Sequence, residues 1–239
     1  MTENYFGADV AKRYDDGPAS EPEAVTPVVD FLSDLVGRGR ALEFGIGTGR
    51  IGLPLHERGV PVDGIDLSPD MVERLKAKPR ADSIRVVVGD FATTRMGATY
   101  DLVFLVFNTI TNLTTQDEQL ACFRNAADHL DSGGFFVVEV GVPKLRVLPP
   151  GQRFHTRHLS VDSWSIDEYH FETQEFTSHH FALRNGELER NSIPFRYVFP
   201  EELDLMAKMA GMSRHGRWGG WRHEPFTDDS EMHVSVWRK

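Results

Sequence analysis

Glu43, Gly45, Gly47 and Gly49 form the run Glu-Phe-Gly-Ile-Gly-Thr-Gly, and Asp66 and Asp90 follow at the ends of two further apolar stretches. Glycines at alternate positions let the chain turn tightly out of a strand and lie against a ligand while the next helix starts. A dinucleotide-binding loop needs glycine at the sixth position of G-x-G-x-x-G, where this chain has Arg50, so a nicotinamide ligand fits poorly. A carboxylate at the strand mouth, Glu43, repels a pyrophosphate and suits a ligand carrying ammonium or sulfonium charge. Asp66 stands roughly 20 residues beyond the glycines, the separation at which an acid reaches ribose hydroxyls.

The elements that must position these groups follow from the same stretch outward. Ala41–Phe44, Pro61–Leu67, Ile84–Asp90, Tyr100–Phe107 and Phe135–Val140 read as strands, the fourth a continuous apolar run suited to burial between two helical layers. Ser68-Pro69 opens a helix with a good N-cap and a first-turn proline, and Met71, Val72 and Leu75 follow at helical spacing. Before the fifth strand comes a polar helix with Leu120, Cys122, Phe123, Ala127 and Leu130 inward and a Gly133-Gly134 break. Strand and helix alternating at this interval predict an α/β, Rossmann-like doubly wound sheet of five parallel strands with ligands at their carboxyl ends. Glu43, Asp66 and Asp90 then share one rim.

Residues 5 to 143 resemble the class I S-adenosylmethionine-dependent methyltransferases. The motifs are E-F-G-I-G-T-G (43 to 49), G-I-D-L-S (64 to 68), V-G-D-F (88 to 91), the block Leu105 to Leu113, and Leu130-Asp-Ser-Gly-Gly134. The resemblance implies S-adenosylmethionine as cofactor, with Glu43 and the three glycines at its methionine end and Asp66 on the ribose. It implies Asp90 on the adenine amine, Phe91, Met71 and Leu67 about the ring, and the carbonyls of Leu105 and Val106 on the ammonium. More closely, the chain is similar to bacterial small-molecule N-methyltransferases of antibiotic and amino-sugar pathways, through Ala11-Lys-Arg-Tyr-Asp15 and the V-V-E ending at Glu139. In those relatives the N-terminal tyrosine lies beside cofactor and acceptor, which makes Tyr14 a site candidate.

The 239 residues suffice for one methyltransferase domain. Its expected parts are a helical cap (1 to 38) with Tyr5, Phe6, Val10 and Tyr14 on one side, the cofactor core (39 to 143), a β-rich lid (144 to 199), and a C-terminal helix and antiparallel hairpin (200 to 239). A net charge of −10 disfavours nucleic acid as partner. Cys122 is the single cysteine, excluding an internal disulfide and a multi-cysteine metal site. No apolar run approaches ~20 residues and no charged-then-apolar leader is present, so no membrane partner and a cytoplasmic location are expected.

The lid is expected to hold four strands, with Asn185-Gly186 as a tight hairpin turn, and to stand over the carboxyl edge as the pocket for a small-molecule acceptor. His155 and His158 look like a metal pair, but residues three apart on a strand point to opposite faces, so no metal is expected. His179 and His180 must likewise diverge. Methyl transfer needs alignment and exclusion of water above all, worth ~7–11 kcal/mol. An amine acceptor must lose its proton, and Glu139, His179 or His180, and Tyr14 are the candidate groups. Glu139 has a second expectation, that it hydrogen-bonds lid backbone.

Phe107, Asn108, His180 and Tyr197 are expected to line the acceptor pocket. Asn108-Thr-Ile-Thr111 departs from the N/D-P-P-Y of adenine and glutamine methylases, which favours an alkyl amine or a hydroxyl, nitrogen narrowly ahead. An O-methyltransferase and a non-catalytic cofactor-binding regulator are the alternatives. Trp218, Trp221 and Phe226 are expected to pack on the lid or on a second subunit, as in a homodimer.

Overall fold

The computed structural model describes residues 4–184 and 186–239. In the first segment α1 spans only Ala8–Ala11 and Tyr14 begins a 3-10 turn, so no continuous helix joins Tyr5 to Tyr14, although Tyr5, Phe6 and Tyr14 line one cavity. Instead the Phe6 carbonyl accepts from Ser68 Oγ at 2.5 Å and the Phe6 and Tyr14 rings meet edge to face at 6.2 Å. Tertiary contacts with the glycine-loop side of the molecule thus set this segment's path.

Helix α2 (Pro22–Val36) precedes β1 (Ala41–Phe44), α3 (Gly52–Glu57), β2 (Val62–Asp66), α4 (Pro69–Lys76), β3 (Arg85–Val88) and β4 (Tyr100–Leu105). Then come α5 (Gln116–His129) and β5 (Leu130–Gly141). Ser68 caps α4 by accepting from the Met71 N–H, and Thr115 and Glu118 close a capping box on α5. The lid strands are β6 (Phe154–Leu159), β7 (Ser163–His170), β8 (Glu175–Arg184) and β9 (Glu187–Arg196). Helix α6 (Pro200–Met209), β10 (Ser213–Trp218) and β11 (Met232–Arg238) complete the chain.

The main sheet runs β10-β11-β5-β4-β1-β2-β3, with β1 to β5 parallel and β11 antiparallel to both β5 and β10. One face carries α5 and α6 through Phe123, Phe136, Leu203 and Trp237; the other carries α2 through Val28, Val29 and Leu32. Strand order reverses between β1 and β4, which opens a crevice above their carboxyl ends. The Gly133-Gly134 break lies inside β5, as an excursion that shifts its register on β4 between Tyr100 and Leu102.

The lid is a separate antiparallel sheet, β6-β7-β8-β9. Arg184 pairs with Glu187 and Gly186 has φ +83°; Asn185, half of the expected turn, lies outside the described residues. At its root, buried Arg196 donates to Glu202 at 2.7 Å and to the Gln119 side chain at 2.5 Å, tying the last lid strand to α5 and α6. Trp218 and Trp221 pack edge-on against Phe31 of α2, on the α2 face of the main sheet rather than on the lid.

Gly49 shows how tightly the loop is set. Its φ is +77°, and a Cβ would run into Leu75 Cδ1, whose side chain is wholly buried. Gly49→Ala is expected to cost about 2–4 kcal/mol, from left-handed strain plus overpacking, read as a lowered Tm. An unchanged Tm would show the loop to be slack.

Candidate active site

Three cavities adjoin above the strand ends, and Tyr14 and Thr109 line all three. The first is a slot walled by Gly45, Gly47, Asp66, Leu67, Met71, Asp90 and Phe91, and roofed by Phe6. The second is a neck between Glu43, Arg50, Val106 and Phe107. The third is a chamber of about 660 Å³ under the lid, reached by Phe107, Asn108, Glu139 and Tyr197.

In the slot, Asp66 Oδ2 accepts from Gly47 N–H at 2.6 Å and Oδ1 from Ser68 N–H at 2.8 Å. Burial raises the Asp66 pKa, against the lowering effect of these two backbone bonds. A carboxylate has lone pairs beyond two such bonds, so Asp66 can hold the loop and still accept from hydroxyls. Asp90 Oδ1 accepts from Ala92 N–H at 2.8 Å.

The neck encloses one acid and one base, Glu43 and Arg50. Glu43 is 3% exposed, its Oε2 has no hydrogen-bond partner among the described residues, and burial pushes its pKa well up, with Arg50 pulling the other way. The Arg50 guanidinium lies 3.6 Å from the Phe107 ring centroid and 5.0 Å from that of Tyr14. Val106 lines the neck, and its carbonyl accepts from the Thr109 hydroxyl at 2.6 Å. Leu105 is wholly buried in the core, beneath the cavity walls.

Tyr14 is held in place by its neighbour. Asp15 accepts from Thr48 Oγ1 at 2.6 Å and pairs with Lys78 at 2.7 Å, latching the N-terminal segment onto the glycine loop. The Tyr14 hydroxyl receives a long 3.5 Å bond from Arg50, and burial raises its pKa.

At the floor of the chamber, Phe107 (φ +56°) and Asn108 (φ +60°) are consecutive left-handed residues. Non-glycine residues in this region cost ~1–3 kcal/mol each and persist where surroundings impose them. Here Glu139 Oε2 accepts from Phe107 N–H at 2.7 Å, and Asn108 Oδ1 accepts from Gly141 N–H at 2.6 Å. Glu139 therefore braces the turn after β4 rather than lid backbone. It is 9% exposed, and burial raises its pKa despite the Phe107 bond and Arg50.

The lid histidines need correction. His179 faces away from the chamber, bonded to Ser192 at 2.8 Å and near Glu168 at 3.4 Å. His180 lies in the chamber-side row with Ser178 and Phe176, since these pair with Ser165, Asp167 and Tyr169, but sits beyond the chamber wall, exposed. His155 is the histidine that lines the chamber. A bulge in β6 causes this: His155 pairs with Asp167 and His158 with Ser165, so both lie on chamber-side rows instead of on opposite faces. Among the described residues no cluster of His, Cys, Asp and Glu could hold a metal.

The "Methyltransferase domain" family matches residues 41–134. The CcbJ methyltransferase from Streptomyces caelestis is 33% identical, with a TM-score of 0.88 over 100% of this chain and 99% of that one. The chain belongs to the S-adenosylmethionine-dependent methyltransferases. Two further structures share the fold. One is SAM-bound CalS10, an amino pentose methyltransferase from Micromonospora echinaspora involved in calicheamicin biosynthesis (21% identity, TM-score 0.69, 100% of both chains). The other is the sugar N-methyltransferase KedS8 from Streptoalloteichus sp (20%, TM-score 0.67, 100% of this chain and 94% of that one). No curated protein matches.

S-adenosylmethionine is the methyltransferase's cofactor, and the residues present fit it. Glu43, whose unpartnered Oε2 lies beside Gly52, lines a neck that also holds the Arg50 cation, a pairing suited to an amino acid's two charges. At Gly45 (φ +71°) a Cβ would stand 2.8 Å from Thr109 Cγ2, so only glycine leaves that approach open. Arg50 and Thr109 are site residues that sequence reasoning missed. The signal for Arg50 was its place directly after the glycines, and for Thr109 its place directly after Asn108.

Proposed function

We propose that the methyltransferase acts on a nitrogen of a small molecule held in the lid chamber. The observation that carries this reading is Glu139, a buried carboxylate of raised pKa in the chamber wall beside the neck. When bound, S-adenosylmethionine supplies a methyl carbon on a sulfonium whose sulfur departs as a neutral thioether. Glu43 and Arg50 would hold its methionine end, Asp66 the ribose hydroxyls, and Asp90 the adenine amine, with Phe91, Met71 and Leu67 against the ring.

Glu139 has one oxygen on Phe107 N–H and the other available to the acceptor. It would take the proton from the acceptor's ammonium and so free the nitrogen lone pair for attack. Tyr14 and Phe107 hold the acceptor in line and exclude water, which supplies most of the rate. CalS10, an amino pentose methyltransferase, and KedS8, a sugar N-methyltransferase, support a small acceptor of this kind.

Tyr14→Phe is expected to lower kcat about tenfold, the upper end for one neutral hydrogen bond, with little change in cofactor affinity. A loss in affinity alone would move Tyr14 to the cofactor's surroundings. The function itself is tested with methyl-labelled S-adenosylmethionine and matched amino sugars and their hydroxyl analogues. Label on the amino compounds is expected; label confined to hydroxyl compounds would overturn the nitrogen assignment.

A further inference from the structure

Asp167 is unlike any other acid of the lid. It is 3% exposed, lines the acceptor chamber, and its Oδ1 has no hydrogen-bond partner among the described residues. Its other oxygen faces Arg157 Nε at 3.7 Å, too long for a hydrogen bond. A buried carboxylate oxygen left unpartnered is costly, and such a group is retained where a ligand completes it.

The surroundings say what the ligand presents. Beside Asp167, Tyr169 stacks on Phe176 at 5.4 Å, Phe176 on Phe195 at 5.1 Å, and Tyr197 leans on Tyr169 at 5.9 Å. This aromatic wall lies along the chamber face of the lid, while Glu139 stands on the main-sheet side. The chamber thus has a carboxylate on its lid wall and another on its main-sheet wall, aromatic surface beside the first, and the cations Arg157 and Lys144 also in its lining.

Resting on the methyl-transfer reading above, we propose that Asp167 is the acceptor-recognition group, binding a second donor, amine or hydroxyl, on a ring whose first amine faces Glu139. The acceptor class is a ring-sized molecule with hydrogen-bond donors at separated positions, one of them the methylated amine. Asp167 touches substrate remote from the reacting nitrogen, so it sets affinity and register rather than the bond-making step.

The test uses wild-type protein saturated with S-adenosylhomocysteine. The probes are 2-deoxystreptamine, a cyclohexane ring carrying amines and hydroxyls around its rim, and cyclohexylamine, the same ring with a lone amine. Wild type is expected to bind the first about tenfold or more tightly than the second, by nuclear magnetic resonance titration. Asp167→Asn is expected to abolish that advantage while its S-adenosylhomocysteine affinity stays within twofold of wild type. Equal binding of the two probes by wild type, no saturable binding of either, or an advantage kept in the variant would each overturn the proposal. The wild-type comparison stands without any variant, should the substitution fail to fold. Failure of S-adenosylhomocysteine to bind wild type would instead sink the methyl-transfer reading, which separates the two.

Discussion

Glu139→Gln is expected to lower kcat about a hundredfold near neutral pH, the low end for loss of a positioned base. Gln is the informative change because its amide oxygen can still accept from Phe107 N–H, so the strained turn at Phe107 and Asn108 stays braced. The pH profile carries a second signature. Burial raises the Glu139 pKa, so wild-type activity falls as pH drops through that raised value, at a higher pH than an exposed glutamate would give. The variant has no such group and loses that acid limb. Toward alkaline pH an acceptor amine sheds its own proton to solvent, and the gap between the two proteins narrows. A variant with wild-type kcat and an unchanged acid limb would leave Glu139 with the brace alone.

Asp66→Ala is expected to weaken S-adenosylhomocysteine binding by about 1.5–3 kcal/mol, the range for hydrogen bonds to a charged group. At 1.4 kcal/mol per decade this is more than tenfold, measured by calorimetry. The substitution also strips Gly47 and Ser68 of their acceptor, so the loop loosens with the ribose contact. Asp66→Asn separates the two effects. Asn keeps one of the two oxygens and so retains one of the two backbone bonds, and partial recovery of Tm without recovery of affinity assigns the affinity loss to the ribose. Unchanged affinity in a folded Ala variant would remove Asp66 from the cofactor site.

What was legible in the sequence was what neighbouring residues determine. Ser68-Pro69 caps its helix whatever lies around it, and the run Tyr100 to Leu105 is apolar enough to be a central strand in any α/β sheet. The acids at strand ends and the alternate glycines were readable because strand direction and chain reversal already fix their rim. The lid faces were not. Alternation correctly separates His179 from His180, but only the pairing of β7 with β8 decides which row meets the chamber. A one-residue bulge then brought His155 to the wall, and a bulge leaves little trace in a single sequence. The same limit hid Asp167, one acid among many until burial removed its partners. Tyr14 was found by resemblance, yet its placement rests on Asp15, Thr48 and Lys78, contacts across the fold that no local pattern announces.

The most direct measurement is a crystal structure of the S-adenosylhomocysteine complex. The adenine is predicted in the slot beside Asp90 and Phe91, the amino acid end in the neck by Glu43 and Arg50, and the sulfur turned toward the chamber between Phe107 and Tyr14. A sulfur turned away from the Glu139 chamber, or a ligand bound elsewhere, would contradict the assignment of that chamber to the acceptor.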